Sequence, residues 1–271
     1  MFPTLFKIGP FALHTYGLML VAGFLIGVKL SENRAKKKEI FPAFIWDLFM
    51  VVVISAIVGA RLFYVALNFD EFRGNLISII SPFQADGTLG IGGLVFIGGL
   101  IAAIISAIAY IKWRHHSILT VLDVCAPGVA IGMAVGRLGC FFAGCCYGLP
   151  TDSILGMSFP HSCPAGHYQL STGAEALHPA QLYLVFGTAI VAALILISEK
   201  FKKFEGHSIL IFVVLYAIDR SIVDTFRWYP EAEMHKGLTH NQIILGVACV
   251  FCTIAYIVLA RRAKKGKTTV I

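Results

Sequence analysis

Apolar runs and polar breaks divide the chain into seven long hydrophobic stretches, at about 12–30, 46–67, 92–111, 118–144, 178–198, 207–226 and 241–260. About 20 mostly apolar residues cross the hydrocarbon core of a bilayer as a helix. The pattern therefore predicts an all-α polytopic membrane protein with about seven transmembrane helices. The connections fall at 31–45, 68–91, 112–117, 145–177, 199–206 and 227–240. No internal repeat, low-complexity tract or soluble domain interrupts them, so residues 1–271 read as a single integral membrane domain. The long connection 145–177, rich in Gly, Pro, Ser and His, has the length to fold over one mouth of the bundle as a cap.

Composition agrees with the pattern. The chain is 58% hydrophobic and 14% charged, with a mean hydropathy of +0.80, whereas soluble domains are about a quarter charged. A net charge of +7 with a pI near 9.1 is compatible with nucleic-acid binding on its own, but the placement of the bases argues for anionic lipid instead, with no nucleic-acid partner. Lys29, Arg34, Lys36, Lys37, Lys38, Lys112, Arg114, Lys200, Lys202, Lys203, Arg261, Arg262, Lys264, Lys265 and Lys267 fall on one side of the seven-span arrangement. Lys7, Arg73, Arg227 and Lys236 fall on the other, and 145–177 has no Lys or Arg. Excess positive charge marks the cytoplasmic side, so the N-terminus is expected outside and the C-terminus in the cytoplasm. Lys7 is the only early base, which does not fit a cleavable signal peptide.

Three of the 22 bases are left inside the spans: Arg61, Arg137 and Arg220. At about 1.5 Å per residue, all three fall in the outer half of the bilayer. Arginine is expensive against lipid and marks a site by default. Arg61, nearest the end of its helix, also fits snorkelling to the outer headgroups. Arg137 lies in Gly136-Arg137-Leu138-Gly139-Cys140-Phe141-Phe142-Ala143-Gly144-Cys145-Cys146-Tyr147-Gly148, where four glycines admit a helix or a ligand close to the backbone. Tyr216, Arg220 and Asp224 recur at four-residue intervals and share a helix face, with Arg227 close to that stripe. They read either as a self-neutralising ion pair or as an anion site in which Asp224 orients Arg220.

His178 and Gln181, beside Pro179 at the start of the fifth span, are polar groups at the outer interface, His178 as a base or as a helix cap. Tyr16 reads as a site residue or as part of an aromatic belt. Gly98 and Gly99, in the run from Gly90 to Gly99, offer close packing or backbone access to a ligand. Cys145, Cys146, Cys163, His161 and His167 lie outside the spans. Their spacing matches no standard zinc pattern, and a disulfide from Cys145 or Cys146 to Cys163 is the reading preferred over metal, with unpaired thiols as the alternative.

Taken in order, these motifs resemble the prolipoprotein diacylglyceryl transferase family: Tyr16-Gly17-Leu18-Met19, Gly59-Ala60-Arg61-Leu62, the glycines of the third span, Asp123, Ala126 and Pro127, Gly136-Arg137-Leu138-Gly139, His178-Pro179-Ala180-Gln181-Leu182-Tyr183, the stripe Tyr216, Arg220, Asp224, Phe226 and Arg227, and Gln242. The resemblance implies an enzyme of the bacterial inner membrane, working at the outer leaflet. Such an enzyme moves diacylglyceryl from phosphatidylglycerol to the lipobox cysteine of a preprolipoprotein and releases glycerol phosphate. Its implied partners are phosphatidylglycerol, lipobox segments and membrane lipid, with no cofactor or metal. It further implies Arg137 and Arg220 as the phosphate-binding pair, supported by Tyr16, Tyr216 and Asp224, with Arg61, His178, Gln181, Gly98 and Gly99 toward substrate.

The chain departs from the family's pattern at three places. Ile97 stands where many members have His, Cys140 where Asn is usual, and Cys145 where an acidic residue is usual. The proton of the acceptor thiol then leaves through His178, Asp224 or the phosphate itself, or the chain serves another acceptor or lipid. A non-catalytic lipid-binding or transport protein is the remaining alternative. Transport asks for a polar route to both faces, and the cytoplasmic halves offer little beyond Asp47 and Asp123.

Overall fold

The computed structural model describes residues 4–8, 11–74, 79, 93–230, 234–235 and 237–268. Among the described residues, nine α-helices run in chain order: α1 Thr15–Lys36, α2 Pro42–Leu67, α3 Phe69–Phe72, α4 Phe96–Trp113, α5 Ile118–Ala143, α6 Pro164–Thr172, α7 Ala180–Ser198, α8 His207–Asp224 and α9 His240–Thr268. Two pairs of short strands accompany them, β1 Thr4–Ile8 with β2 Phe11–His14, and β3 Met234–His235 antiparallel to β4 Leu238–Thr239. The molecule is an all-α polytopic membrane protein: α1, α2, α4, α5, α7 and α9 are long and apolar enough to cross a bilayer. The sixth of the seven expected stretches forms α8, also 18 residues long. It carries Asp219, Arg220 and Asp224, and so falls short of the same apolar standard.

Element boundaries differ from the hydropathy reading at several helices; the second begins at Pro42 rather than 46. The first helix begins at Thr15, because Phe11–His14 pairs as a strand. The third begins at Phe96, and of the run from Gly90 to Gly99 the first three residues lie outside the described ones. The last continues to Thr268, since its Arg- and Lys-rich end is compatible with a solvated helix.

By contacts the chain forms two compact units. One comprises residues 1–7, 12–34 and 122–271. In it, α1 and α5 meet along glycines spaced four apart on both helices, Gly23 and Gly27 against Gly128 and Gly132. A Cβ on Gly23 would stand 2.5 Å from the Gly132 carbonyl oxygen, and one on Gly27 2.8 Å from that of Gly128. Lipid supplies no hydrophobic drive for helices to associate, so close backbone contact is the attraction available to them. Beside this seam Ala126, Ala130, Val191, Ala192, Ile195 and Phe212 form a buried core between α5, α7 and α8.

One end of this unit is tied by Asp123, which is 2% exposed. Its carboxylate accepts from the Gly206 and Ile209 backbone N–H groups at 2.8 and 3.0 Å and from Lys202 Nζ at 2.6 Å. One acid thus satisfies orphan donors at the start of α8, an anion at the positive end of a helix. Pro127 in α5 removes the N–H that would bond the Asp123 carbonyl four residues back. Arg34 compensates: Nη2 reaches that carbonyl at 3.5 Å and Nε the Val124 carbonyl at 3.0 Å, while the same guanidinium pairs with Glu199. Asp123 is a structural anchor.

The other unit comprises residues 8–11 and 35–121. Here α2 packs on α4. A Cβ on Gly98 would lie 2.7 Å from the Gly59 carbonyl oxygen, and one on Gly99 2.9 Å from that of Ala56. Ser55 and Ser106 bond across the pair at 2.6 Å, and buried Phe44 stacks on Tyr110, whose hydroxyl donates to Asp47 at 3.2 Å. Both glycines are therefore used in helix packing. Asp47 serves the same contact.

Candidate active site

The Gly- and Cys-rich stretch ends α5 with a reversal. Gly144 adopts φ 68°, and its N–H bonds the Phe141 carbonyl while the Cys145 N–H bonds that of Cys140. This is the left-handed ending that glycine supplies without steric cost. Cys146 is also left-handed, at φ 61°, a conformation that is uncommon outside glycine. The two turns fold Cys145 and Cys146 back toward the last turn of α5, and the sulfurs of Cys140, Cys145 and Cys146 all lie within 4.8 Å of one another. Arg137, one turn earlier, places Nη1 3.9 Å from Cys140 Sγ.

Residues after Gly144 form an ordered insert. Phe159, Cys163, Ala165 and Leu177 make its buried core, with Phe141, Tyr147, Met157 and Tyr168 packed around it. Pro164 begins α6 and Gly173 ends it. The insert closes on itself through backbone bonds from Gly148 N–H to the His178 carbonyl and from His178 N–H to that of Leu149, and on the turn after α8 through Leu149 N–H to the Phe226 carbonyl, at 2.8–3.0 Å. Cys163 is not brought to Cys145 or Cys146 as a partner; it is buried against Gly144 and donates to the Pro160 carbonyl at 3.1 Å. His161 and His167 are exposed and do not join the sulfurs.

At the C-terminal end of α8 the expected stripe becomes a network around one hydroxyl. Tyr229 Oη accepts from Arg220 Nη2 at 2.7 Å, from Arg227 Nη1 at 3.1 Å and from Asn241 Nδ2 at 3.4 Å. It donates to Asp224 Oδ1 at 2.8 Å. Thr239 donates to the other carboxylate oxygen at 3.3 Å, and Gln242, exchanging bonds with Thr239, also donates to the Ser221 carbonyl at 3.1 Å. Arg220 Nη1 stands 3.0 Å from Asp224 Oδ1 as an ion pair without an aligned N–H. Arg227 Nε is buried with no hydrogen-bond partner among the described residues. A cavity of about 340 Å³ opens beside these groups, lined by Asp224, Arg227, Tyr229, Leu238, Thr239 and Gln242 among others. Burial pushes the Tyr229 phenol above its ordinary value, against the opposing pull of Arg220 and Arg227.

The two halves lie within electrostatic reach of each other. Arg220 feels the charges of Arg137 and Arg227, and Tyr216 neighbours Arg137. Tyr16 packs its ring edge against Gly139 and senses Arg137 and the three thiols. Three guanidiniums thus share one region with a single carboxylate bonded among them, which leaves net positive charge and orphan donors for an anion. Gln181 is fully buried; its Nε2 donates to the Cys145 carbonyl at 2.7 Å, and its Oε1 has no partner among the described residues. His178 bonds Tyr183 through Nδ1 at 2.9 Å and rests edge-on against Phe226. Arg61 belongs to the other unit, where Nε donates to the Ile79 carbonyl at 3.0 Å and the guanidinium lies over Phe72.

Sequence reasoning missed Tyr229 and the joining of Cys140 to Cys145 and Cys146. Tyr229 stands after the helix, in Trp228-Tyr229-Pro230, where it reads as an interfacial aromatic. Its position five residues beyond Asp224 was the available signal.

Fold and site together define an integral membrane protein of several spans with an arginine-rich polar cluster at the C-terminal ends of α5 and α8. The sequence model of the prolipoprotein diacylglyceryl transferase family matches residues 3–259, and the chain belongs to that family. It is 31% identical over 234 residues to a phosphatidylglycerol–prolipoprotein diacylglyceryl transferase of Parasynechococcus marenigrum, covering 84% of this chain and 81% of the relative. It is also 31% identical over 244 residues to the protein of that name from Clostridium tetani, covering 90% and 92%.

Proposed function

We propose that this chain transfers the diacylglyceryl group of phosphatidylglycerol to the lipobox cysteine of prolipoproteins. Family membership and the name shared by relatives across most of their length support the reaction. The local observation that carries it is the pairing of Arg220 and Arg227 on the Tyr229 hydroxyl beside a cavity of about 340 Å³ that Arg227 and Tyr229 help to line.

The chemistry asks for what these residues supply. The acceptor sulfur, as thiolate, forms a bond to the terminal glyceryl carbon of the diacylglyceryl group, and the bond from that carbon to the phosphate ester oxygen breaks. Glycerol phosphate departs with the bonding pair, and the thiol's proton ends on a base or on the phosphate. Negative charge grows on the phosphate in the transition state, where prearranged arginines contribute most. In this reading Arg137 and Arg220 bind the phosphate, Asp224 and Tyr229 fix Arg220, and Tyr16 and Tyr216 flank Arg137. His178 and Gln181 hold the adjoining junction of the insert. Seven spans, with the N-terminus outside and the C-terminus cytoplasmic, bring these groups to the outer leaflet of the bacterial inner membrane, with the 145–177 insert as a cap over them.

The test is purified protein in detergent with phosphatidylglycerol and a lipobox peptide, following glycerol phosphate release and peptide mass together. Coupled release and a diacylglyceryl mass gain, abolished in Arg137→Ala, are expected. Release without peptide modification would favour another acceptor, the reading that Ile97, Cys140 and Cys145 motivate. Full activity in folded Arg137→Ala and Arg220→Ala would refute the site assignment.

A further inference from the structure

We propose that Cys140, Cys145 and Cys146 form a three-sulfur binding site for one soft, thiophilic metal ion, with Cu(I) as the best-matched class. The inference goes beyond the transfer reaction, which calls for no metal, and does not depend on it.

The first argument is spacing. A metal–sulfur bond of about 2.3 Å puts three sulfurs about 4.0 Å apart around a trigonal centre. The three here already lie within 4.8 Å of one another, so closing on an ion needs only small side-chain movement. The second is number. A disulfide takes two sulfurs at about 2.05 Å and strands the third, whereas one ion takes all three. The third is backbone: Gly144 turns the chain at no steric cost, and Cys146, a non-glycine residue at φ 61°, holds a strained left-handed conformation that returns two consecutive cysteines to the same side as Cys140.

Ligand chemistry selects the ion. No histidine or carboxylate joins the sulfurs among the described residues. Thiolate-only, three-coordinate sites suit soft ions such as Cu(I), while zinc prefers four ligands and would need solvent as the fourth. Charge points the same way. Three thiolates around a monovalent ion carry two negative charges, and the neighbouring guanidiniums of Arg137 and Arg227 balance them. Arg137, 3.9 Å from Cys140, also supplies the outer N–H contact that tunes bound thiolates. Cys140 is buried and the other two are half-buried, which leaves an approach on the loop side. The sequence pattern hid the site because the third ligand comes from the preceding helix rather than from a paired Cys motif.

The experiment titrates reduced, detergent-purified full-length protein under anaerobic conditions with Cu(I) held by a coloured chelator, and in parallel with Zn(II). Sulfur coordination is read by X-ray absorption at the copper edge. One Cu(I) per chain with only sulfur neighbours is expected. Loss of any ligand by Cys140→Ser, Cys145→Ser or Cys146→Ser should weaken binding by more than about 100-fold, the upper end for groups that only support a ligand, while Cys249→Ser leaves it unchanged. Should a serine variant fail to fold, alkylation of the wild type decides: Cu(I) must shield these three thiols and leave Cys249 reactive. Reduced, folded protein that takes no Cu(I), or a disulfide among the three that re-forms in preference to metal binding, overturns the proposal. Tighter binding of Zn(II) than Cu(I) overturns the choice of ion.

Discussion

Replacing Tyr229 with Phe removes one oxygen and keeps the ring. That oxygen accepts from Arg220 and Arg227 at 2.7 and 3.1 Å and donates to Asp224 at 2.8 Å. The Arg220 and Asp224 side chains are 5% and 0% exposed, so water cannot easily replace it. A hydrogen bond to a charged group contributes about 1.5–3 kcal/mol, and a buried charge left short of a partner costs at least as much. Three such bonds are at stake, and those to Arg220 and Asp224, the most buried partners, dominate the loss. The existing ion pair between those residues can close and recover part of the loss, leaving about 2–3 kcal/mol. If the arginines hold phosphate as proposed, that loss appears as a fall of about 30- to 150-fold in kcat/KM for phosphatidylglycerol. It should divide between a raised KM for phosphatidylglycerol and a lowered kcat, with KM for the lipobox peptide little changed. Thermal unfolding in detergent separates this from general damage, and Trp228→Phe, which keeps an aromatic ring beside Tyr147, is the neighbouring control. A folded Tyr229→Phe enzyme with kcat/KM within about twofold of wild type would refute the reasoning, since a spread of 1.4 kcal/mol is already tenfold.

Other outcomes follow from the same contacts. Gly132→Val should unfold or fail to assemble the α1–α5 seam, seen as loss of a cooperative melt, because its Cβ would stand 2.8 Å from the Gly23 carbonyl oxygen; Gly136→Ala, whose Cβ meets only Leu20 at 3.5 Å, should melt like wild type. Arg34→Met should lower stability by about 1–3 kcal/mol by orphaning the Asp123 carbonyl, and Pro127→Ala, which restores the missing N–H, should reduce that cost in the double mutant. A double mutant as unstable as the sum of the singles would sink the compensation argument. Because folding raises the Tyr229 phenol pKa, the neutral hydroxyl's contribution is intact below the unfolded value of about 10 and lost as pH rises through the higher folded value. Stability should therefore hold at neutral to mildly alkaline pH and then fall, less steeply in Tyr229→Phe; an equal alkaline loss in both proteins would reject Tyr229 as its source.

Much of the architecture was legible because membrane helices announce themselves by length and apolarity, and all seven stretches became helices. The site was legible where its residues share a helix face: Arg220 and Asp224 did pair, as four-residue spacing requires. It was not legible where the chain turns. Tyr229 meets Arg220 only because α8 ends at Asp224 and the next residues fold back, and no periodicity encodes that return. Cys145 met Cys140 rather than Cys163 for the same reason, the left-handed turn at Gly144. Gly98 and Gly99 show the converse ambiguity: a bare backbone invites a ligand and a helix equally, and here α2 occupies it.

The placement of the arginines explains how they stay charged at depth without being neutralised. Arg137 and Arg220 lie in the last two turns of α5 and α8, where carbonyls without partners give the helix end a partial negative charge of about half an electron. That field favours a guanidinium yet cannot cancel it, and falls off within a turn. Asp224 offsets one full charge among Arg137, Arg220 and Arg227. An acidic residue at the position of Cys145, which the family's pattern leads one to expect, would offset a second. With a thiol at this position instead, the region holds more uncompensated positive charge, favourable for a phosphate ester and unfavourable in its absence. Three thiolates around a monovalent metal would return negative charge beside Arg137 in a form that depends on redox state and metal supply. A thiol in place of a fixed acid would thus make the local charge adjustable, and the transfer assay with and without Cu(I) reads that adjustment as a change in KM for phosphatidylglycerol.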